Sequence, residues 1–189
     1  MTGNSPDDTK EPLSSIEKLA KHHDLSFFDC GKPSLNDWLR RFALTNQQND
    51  STRTYVLHRA RKVVGYYSLS AGSVRKEDSP ARIAKGLARH PIGVILLARL
   101  AVDHTEHGAG LGKALLMDAL SRALAASNAI GARAVLVHAL DEEAVAFYKK
   151  FGFEPSPLDA KQLMLLMKDL RTSLESLGLK IVSRCRVAV

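Results

Sequence analysis

A strand, a glycine-rich turn and a long helix follow one another in the middle of the chain, and this order constrains the fold more than any other feature. The apolar run Ile92–Val102, interrupted by Arg99, predicts a buried strand. The turn after it holds Gly108, Gly110 and Gly112 at alternate positions. Leucines then recur at helical spacing, at positions 111, 115, 116, 120 and 124. Such a turn directs unpaired backbone N–H groups and the positive end of a helix dipole at one point, which suits a phosphate or pyrophosphate.

The spacing of the glycines excludes two common phosphate sites. A Walker loop requires a serine or threonine after its Gly-Lys pair, whereas Ala114 follows Gly112 and Lys113. A dinucleotide site requires Gly-x-Gly-x-x-Gly, which alternate glycines do not form. The turn therefore holds another phosphate ligand, or it only connects two elements.

The composition predicts a globular chain with an anionic partner. Its 189 residues are 45% hydrophobic and 25% charged, enough for one domain with a substantial core. The formal net charge of +7 suggests nucleic acid first among anionic partners. The sequence contains no run of about eighteen apolar residues, so we predict no membrane span. The polar N-terminus lacks a signal region, so we expect a cytoplasmic protein.

Neither the cysteines nor the histidines predict a metal site. Cys30 and Cys185 lack metal-ligand spacing and are too few for a disulfide framework, so we expect free thiols. His22 and His23 are adjacent and have no further spaced ligands, which favours solvated loop residues.

The order of the predicted elements indicates an α/β fold. Residues 1–12 are polar and are expected to be disordered, one domain is expected over 13–170, and 171–189 form a C-terminal extension. Ser34, with Asp37 three residues on, is expected to cap a helix. Gly65 inside a strand predicts a bulge or a close backbone approach. Strands are expected at Thr52–His58, Lys62–Ala71, Ile92–Val102, Ala132–Ala139 and Leu163–Met167, and helices after Ser34, after the glycine turn, after Asp141 and as a turn at Ser173–Leu177.

The glycine turn resembles the acetyl-CoA loop of the GNAT-superfamily N-acetyltransferases, Gln/Arg-x-x-Gly-x-Gly/Ala. Here His107 stands where that loop has glutamine or arginine. The resemblance implies a mostly antiparallel sheet, splayed in the middle, with helices on both faces. It also implies that acetyl-CoA lies in the splay, between the end of the central strand and Ala132–Ala139. The residues expected to bind it are Leu100, Ala101, Val102, His107, Gly108, Ala109, Gly110, Leu111, Gly112, Lys113 and Phe147.

A second motif supplies a candidate catalytic residue. The segment Ala144–Phe153 resembles the family's Ala-x-x-Phe-Tyr-x-x-x-Gly-Phe. By this resemblance the Tyr148 phenol lies over the thioester sulfur, where the thiolate leaving group needs a proton. A phenol, with an ordinary pKa of about 10, can donate that proton. No carboxylate stands out as a general base.

A longer resemblance, over about Leu13–Leu170, is to the acetyltransferase toxins of bacterial toxin–antitoxin pairs. It rests on the segments DCGKPSLNDWLRRFA, TRTYV, VVGYYSLSAGSV, LARLAVD and LMLLMKDL. Those toxins acetylate the amino group of aminoacyl-tRNA, block translation and are silenced by a ribbon-helix-helix antitoxin, and homodimers are common among them. The basic residues expected to contact tRNA phosphates are Arg40, Arg41, Arg53, Arg75, Lys76, Arg82, Lys85, Arg89 and Arg99.

Two other functions remain open from the sequence. The chain could be a GNAT enzyme that acetylates a small-molecule amine or a protein N-terminus. It could also be a non-catalytic basic module that binds nucleic acid and keeps a degenerate cofactor loop.

Overall fold

A seven-stranded sheet organises the computed structural model, which describes residues 10–88 and 90–176. The strands are β1 Glu17–Lys18, β2 Arg53–Arg59, β3 Lys62–Val74, β4 Ile92–Val102, β5 Ala134–His138, β6 Glu154–Pro155 and β7 Gln162–Leu166. The α-helices are α1 Pro33–Arg41, α2 Ala43–Gln48, α3 Ala81–Ala84, α4 Leu111–Ile130, α5 Glu142–Lys149 and α6 Met167–Ser176. Short 3-10 helices occupy Lys76–Asp78 and His104–Glu106.

The strand order β1-β2-β3-β4-β5-β7-β6 gives a mostly antiparallel sheet with one parallel pair, β4 and β5. That pair is hydrogen-bonded only from Val94↔Ala134 to Leu97↔Val137, although β4 continues to Val102. The sheet therefore opens between β4 and β5 at their carboxyl ends. The predicted α/β class and the predicted central splay are both confirmed.

Helices cover both faces of the sheet because successive strand residues point to opposite sides. On one face, Leu57, Val64 and Tyr67 pack with the leucines of α4 and with α6. On the other, Val56, Val63 and Tyr66 pack beneath α1 and α2. The long helix α4 contributes the fully buried Leu115, Leu116 and Leu124. It ends at Gly131, as the sequence predicts, with a positive φ of 70° at that residue.

Two predicted helix boundaries are wrong. Helix α1 begins at Pro33 with Lys32 as its N-cap residue and no side-chain cap, so Ser34 does not cap it. Proline preorganises the first helical position and lacks the N–H that a cap would satisfy. Helix α6 begins at Met167, directly after β7, instead of forming a turn near Ser173. Its apolar face, Met167, Leu170 and Leu174, is buried in the core and stabilises the longer helix.

Gly65 permits a close approach between β3 and α4. A Cβ at this position would lie 2.8 Å from Leu115 Cδ1, and the β2–β3 register shifts beside it, between Leu57 and His58. Both observations agree with the prediction of a bulge or a close approach at this glycine.

The prediction that His23 is solvated is wrong. Its side chain is buried, its Nε2 lies 2.8 Å from Glu17 Oε1, and its Nδ1 accepts a hydrogen bond from Ala20 N–H at 3.0 Å. His58 has the same arrangement, with Nε2 3.3 Å from Glu17 Oε1 and Nδ1 3.3 Å from Arg61 N. Because a backbone N–H occupies each Nδ1, the proton of each neutral ring lies on Nε2 and points at Glu17. This histidine–glutamate cluster therefore offers no free Nε2 lone pair to a metal ion.

Several predictions concern residues outside the described part of the chain. They are the disorder predicted for residues 1–12, of which only 10–12 are described, the thiol of Cys185, the role of Arg89 and most of the 171–189 extension. Within 10–12 the structure shows contacts: Lys10 bonds to Glu106, and Arg59 donates to the carbonyl oxygen of Glu11. Cys30 is described and is a buried free thiol. None of the described helices is long and apolar enough to cross a bilayer.

Candidate active site

The opening between β4 and β5 forms a cleft of about 980 Å³. Its floor is the unpaired edge of β4 from Ala98 to Val102, one wall is the glycine turn, and the other is α5. Ten of the eleven residues predicted to bind a cosubstrate line this cleft, and Ala109 does not. Tyr148 lines the same cleft, so the structure brings together two motifs that lie far apart in the sequence.

The glycine turn presents backbone donors to the cleft. Gly108 and Gly110 have φ values of 81° and 77°, which L side chains rarely adopt. Gly110 is also the N-cap residue of α4, and no side chain caps that helix. The N–H groups of its first turn therefore have no side-chain acceptor and can bind an anion.

The edge of β4 is unpaired where the sheet opens. Because β5 pairs with β4 only up to Leu97, the β5-facing backbone groups from Ala98 to Val102 have no strand partner. At the far end of this edge, His107 Nε2 lies 3.0 Å from the carbonyl oxygen of Val102. The histidine thus ties the end of β4 to the start of the turn. A cosubstrate with its own amide groups can supply the missing strand contacts.

Tyr148 is held among aromatic rings. Its ring centroid is 5.3 Å from that of Phe147 and 5.4 Å from that of Phe153. Burial raises the pKa of the phenol above its ordinary value of 10, so the hydroxyl keeps its proton at neutral pH. The hydroxyl forms no hydrogen bond with other described residues and is not sealed from the cleft. A protonated, unengaged donor is thus available in the cleft.

Three polar contacts that the sequence patterns do not reveal support the walls. Asp103 accepts hydrogen bonds from the N–H groups of Asp29 and Thr105, at 2.9 and 3.0 Å. Burial alone would raise the pKa of Asp103, but these bonds outweigh it and hold that pKa below its ordinary value. Lys32 Nζ lies 2.8 Å from Asp141, and Arg59 holds the buried Glu106. The Asp103–Asp29, Lys32–Asp141 and Arg59–Glu106 contacts each join segments that are distant in sequence, so no local motif predicts them.

The basic residues predicted to contact tRNA do not gather in one place. Arg99 lines the cleft, and its guanidinium lies 5.5 Å from the ring centroid of Trp38. Arg40 and Arg41 lie on the same helix as Trp38. Arg53 is paired with Asp50 beside the start of β2.

The basic residues around α3 lie at the opposite end of β4. Val74, which precedes Arg75, pairs with Ile92, about 33 Å along the strand from Val102. Arg75 is paired with Asp78, and Arg82 is paired with both Glu154 and Asp169. Lys76 donates to the Leu87 carbonyl oxygen, and Lys85 is exposed.

The splayed sheet, the uncapped glycine turn and the buried phenol together define an acyltransferase of the kind that uses a coenzyme A thioester. The chain belongs to the GNAT acetyltransferase family: the family described as "Acetyltransferase (GNAT) domain" matches residues 50–155.

Relatives and solved structures agree with this assignment. The chain is 48% identical over 158 residues to the "tRNA-acetylating toxin" of Mycobacterium tuberculosis (strain ATCC 25618 / H37Rv), covering 84% of this chain and 95% of that protein. It is similar to AtaT complexed with acetyl-methionyl-tRNAfMet, with a TM-score of 0.80 and 31% identity over 86% of this chain and 99% of that one. A tyrosine-to-phenylalanine mutant of AtaT, bound to the C-terminus of the antitoxin AtaR and acetyl-CoA, has a TM-score of 0.74 and 30% identity, over 87% and 99% of the two chains.

Proposed function

We propose that this protein is a toxin that transfers the acetyl group of acetyl-CoA to the amino group of aminoacyl-tRNA. The observation that carries the proposal is the cleft in which the glycine turn, the open edge of β4 and Tyr148 meet. The 48% identity to the mycobacterial tRNA-acetylating toxin supports the choice of substrate. An acetylated α-amino group cannot act as a nucleophile, which explains why translation would stop.

The residues that line the cleft fit coenzyme A. The N–H groups after Gly110 would bind the pyrophosphate, and the β4 edge from Leu100 to Val102 would pair with the amides of the pantetheine arm. Phe147 packs 3.9 Å from the position a Cβ would take at Gly112 and closes the wall beside the turn. When bound, the thioester supplies an activated acetyl group.

In this proposal Tyr148 is the catalytic acid. Its protonated hydroxyl donates to the sulfur as the carbon–sulfur bond breaks, and so stabilises the departing thiolate. The raised pKa keeps the hydroxyl protonated until that moment. Phe147 and Phe153 fix the orientation of the ring.

The chain does not need to supply a strong base. The α-amino group of an esterified amino acid has a low pKa, near or below about 7.7, so much of it is neutral in the cell. Of the three carboxylates that line the cleft, Glu106 and Asp141 are engaged by Arg59 and Lys32, and Glu143 is exposed on α5. We therefore propose that the amine enters neutral and attacks the thioester carbonyl directly. The carbon–sulfur bond then breaks, Tyr148 protonates the thiolate, and the proton that the nitrogen loses on forming the amide restores the phenol.

The proposal extends to partners. Arg40, Arg41 and Arg99, on the α1 side of the cleft, are the candidates of first choice for tRNA phosphates. An antitoxin is the proposed inhibitor, supported by the AtaT structure that carries the C-terminus of the antitoxin AtaR. The proposal that it is of the ribbon-helix-helix type rests on the family resemblance alone. A homodimer is the proposed assembly. The substrate is made and used in the cytoplasm, which is where we place the enzyme.

One assay tests this function. Purified protein is incubated with radiolabelled acetyl-CoA and bulk charged tRNA, and the labelled species are identified. The expected result is alkali-labile N-acetyl-aminoacyl product, absent with deacylated tRNA. Label that appears only on free amines or on protein N-termini would favour a different GNAT enzyme. Tight tRNA binding without acetyl-CoA binding would favour the non-catalytic module.

A further inference from the structure

The carboxylate of Glu106 is almost completely buried directly before the glycine turn. It closes the 3-10 helix His104–Glu106, it lines the cleft, and only 5% of its side chain is exposed. A buried negative charge beside an anion-binding turn opposes the binding of a pyrophosphate unless it is neutralised. The sequence patterns give Glu106 no role.

Arg59 neutralises this charge from another part of the fold. Its Nε lies 3.0 Å from Glu106 Oε1 and its Nη2 lies 3.2 Å from Oε2, so the guanidinium grips both carboxylate oxygens. This bidentate geometry fixes the orientation of the carboxylate and also neutralises its charge. Arg59 is the last residue of β2, which pairs with β3, and β3 in turn pairs with β4. The backbone of Arg59 is therefore part of the central sheet.

Lys10 and Glu11, near the N-terminus, also contact this ion pair. Lys10 Nζ lies 3.2 Å from Glu106 Oε1 and donates to the Thr105 carbonyl oxygen at 3.2 Å. Arg59 also donates to the carbonyl oxygen of Glu11. The hydrogen bond from Arg59, followed by that from Lys10, keeps the pKa of Glu106 below its ordinary value despite burial. Glu106 is therefore charged, and two cations hold it.

We infer that the Arg59–Glu106 ion pair is a positioning device for the cosubstrate: it fixes the glycine turn and shields the pyrophosphate from the charge of Glu106. Neither residue is a catalytic residue, because both act through the backbone of His107–Gly110. The inference rests on the proposed placement of acetyl-CoA over that turn. It predicts something that the proposed function does not, namely that the ion pair affects the binding of acetyl-CoA and not the transfer of the acetyl group.

Substitutions should affect differently the two roles of the ion pair, which are to fix the glycine turn and to shield the pyrophosphate from the charge of Glu106. Arg59→Ala removes the bidentate partner and leaves the buried Glu106 carboxylate with the Lys10 ammonium as its remaining cationic partner, beside the turn proposed to bind the pyrophosphate. It should therefore raise the dissociation constant and the KM of acetyl-CoA about tenfold or more. Arg59→Lys keeps the cation and should recover much of the affinity. Glu106→Gln removes the charge together with the need for its partner, and should weaken binding less than Arg59→Ala. The double variant Arg59→Ala/Glu106→Gln should bind more tightly than Arg59→Ala alone, a non-additivity typical of residues in contact.

Titration calorimetry with acetyl-CoA on the full chain, with kcat and KM for acetylation of charged tRNA, tests the inference. Lys62→Ala is the matched control, because Lys62 pairs with Arg59 across the same hairpin and its ammonium lies over Phe27 instead of the turn. We expect KM to rise with kcat nearly unchanged in Arg59→Ala, and neither to change in Lys62→Ala. Folded Arg59→Ala protein that binds acetyl-CoA like the parent, or a double variant no better than Arg59→Ala, would overturn the inference. Parent protein that does not bind acetyl-CoA would instead overturn the proposed function.

Discussion

Lys32 Nζ lies 2.8 Å from Asp141 Oδ2, and this ion pair joins the two sides of the cleft. Lys32 precedes α1, whose opposite end carries Arg40 and Arg41, whereas Asp141 caps α5, which carries Tyr148. The hydrogen bond from Lys32, together with that from Ala144 N–H, lowers the pKa of Asp141. Asp141 therefore has two separable roles, in the helix cap and in the ion pair.

Substitution should separate those roles. Asp141→Ala removes both the N-cap and the ion pair, and should lower the free energy of unfolding by about 1 kcal/mol or slightly more. Lys32→Ala removes only an exposed ion pair and should have a smaller effect. Urea unfolding of both variants measures the difference. Equal losses would show that the ion pair, and not the cap, stabilises this wall.

Tyr148→Phe should reduce kcat for acetylation about 100-fold or more, because general acid catalysis contributes at least that much. Binding of acetyl-CoA should stay within about twofold of the parent, since the ring contacts with Phe147 and Phe153 are kept. Tyr55→Phe is the control for loss of a phenol elsewhere. Tyr55 lies in β2, and its half-buried ring stacks on that of Tyr67 in β3. Radiolabel transfer to charged tRNA measures kcat. If Tyr148→Phe acetylates at the parent rate, the catalytic assignment is wrong.

Gly110→Ala should weaken acetyl-CoA binding, because an L residue is strained at a φ of 77° and would shift the turn. Gly86→Ala provides a control of matched strain: its φ is 76°, and a Cβ meets no atom within 4 Å at either glycine. Both variants should lose about 1–2 kcal/mol of stability, since both must hold a left-handed residue. Calorimetry should then show a loss of affinity only for Gly110→Ala. Similar affinities in the two variants would argue against a role for the turn.

Arg99→Gln should lower activity on charged tRNA. It should also reduce the slope of log KM against log salt concentration by the amount that corresponds to about one lost phosphate contact. Arg171→Gln is the control, because Arg171 binds Asn128 near the end of α4 opposite the cleft, about 25 Å from the glycine turn. The measurement is KM for charged tRNA between low and physiological salt. An unchanged slope in Arg99→Gln would remove this residue from the tRNA surface.

The histidine–glutamate cluster should make the fold sensitive to acid. Burial lowers the pKa of His23 below its ordinary 6.5, so stability is fully present above pH 6.5 and falls as the pH drops towards the folded-state pKa. The hydrogen bond from His23, followed by that from His58, lowers the pKa of Glu17, which adds a further loss below pH 4.5.

Unfolding by urea at a series of pH values tests this prediction. His23→Asn should be less stable at pH 7 and less dependent on pH between 6.5 and 5. His22→Gln, at the exposed neighbour, should keep the parent's pH dependence. A parent protein equally stable at pH 7 and pH 5 would contradict the role given to His23.

Much of the fold could be predicted because its signals are local. The β4 strand, the glycine turn and the start of α4 follow from apolar runs and glycines that act over a few residues. Periodicity located Ile92–Val102 with the bounds that the structure shows. Boundaries were missed where tertiary packing decided them, as at Met167, where burial against α4 turns the end of a strand into a helix.

The sequence by itself determined the local motifs: alternate glycines before a leucine-rich helix, and a tyrosine in an aromatic segment, whose resemblance to the GNAT family implied an acetyltransferase. Only the tertiary structure decided which charges act together. Arg59 meets Glu106 across 47 positions, and Lys32 meets Asp141 from another element, while Arg75 and Arg82 are paired with acids far from the cleft. Backbone patterns repeat over a few residues and can be read along the chain, but an ion pair depends on the three-dimensional distance between two side chains, which sheet register and helix packing set.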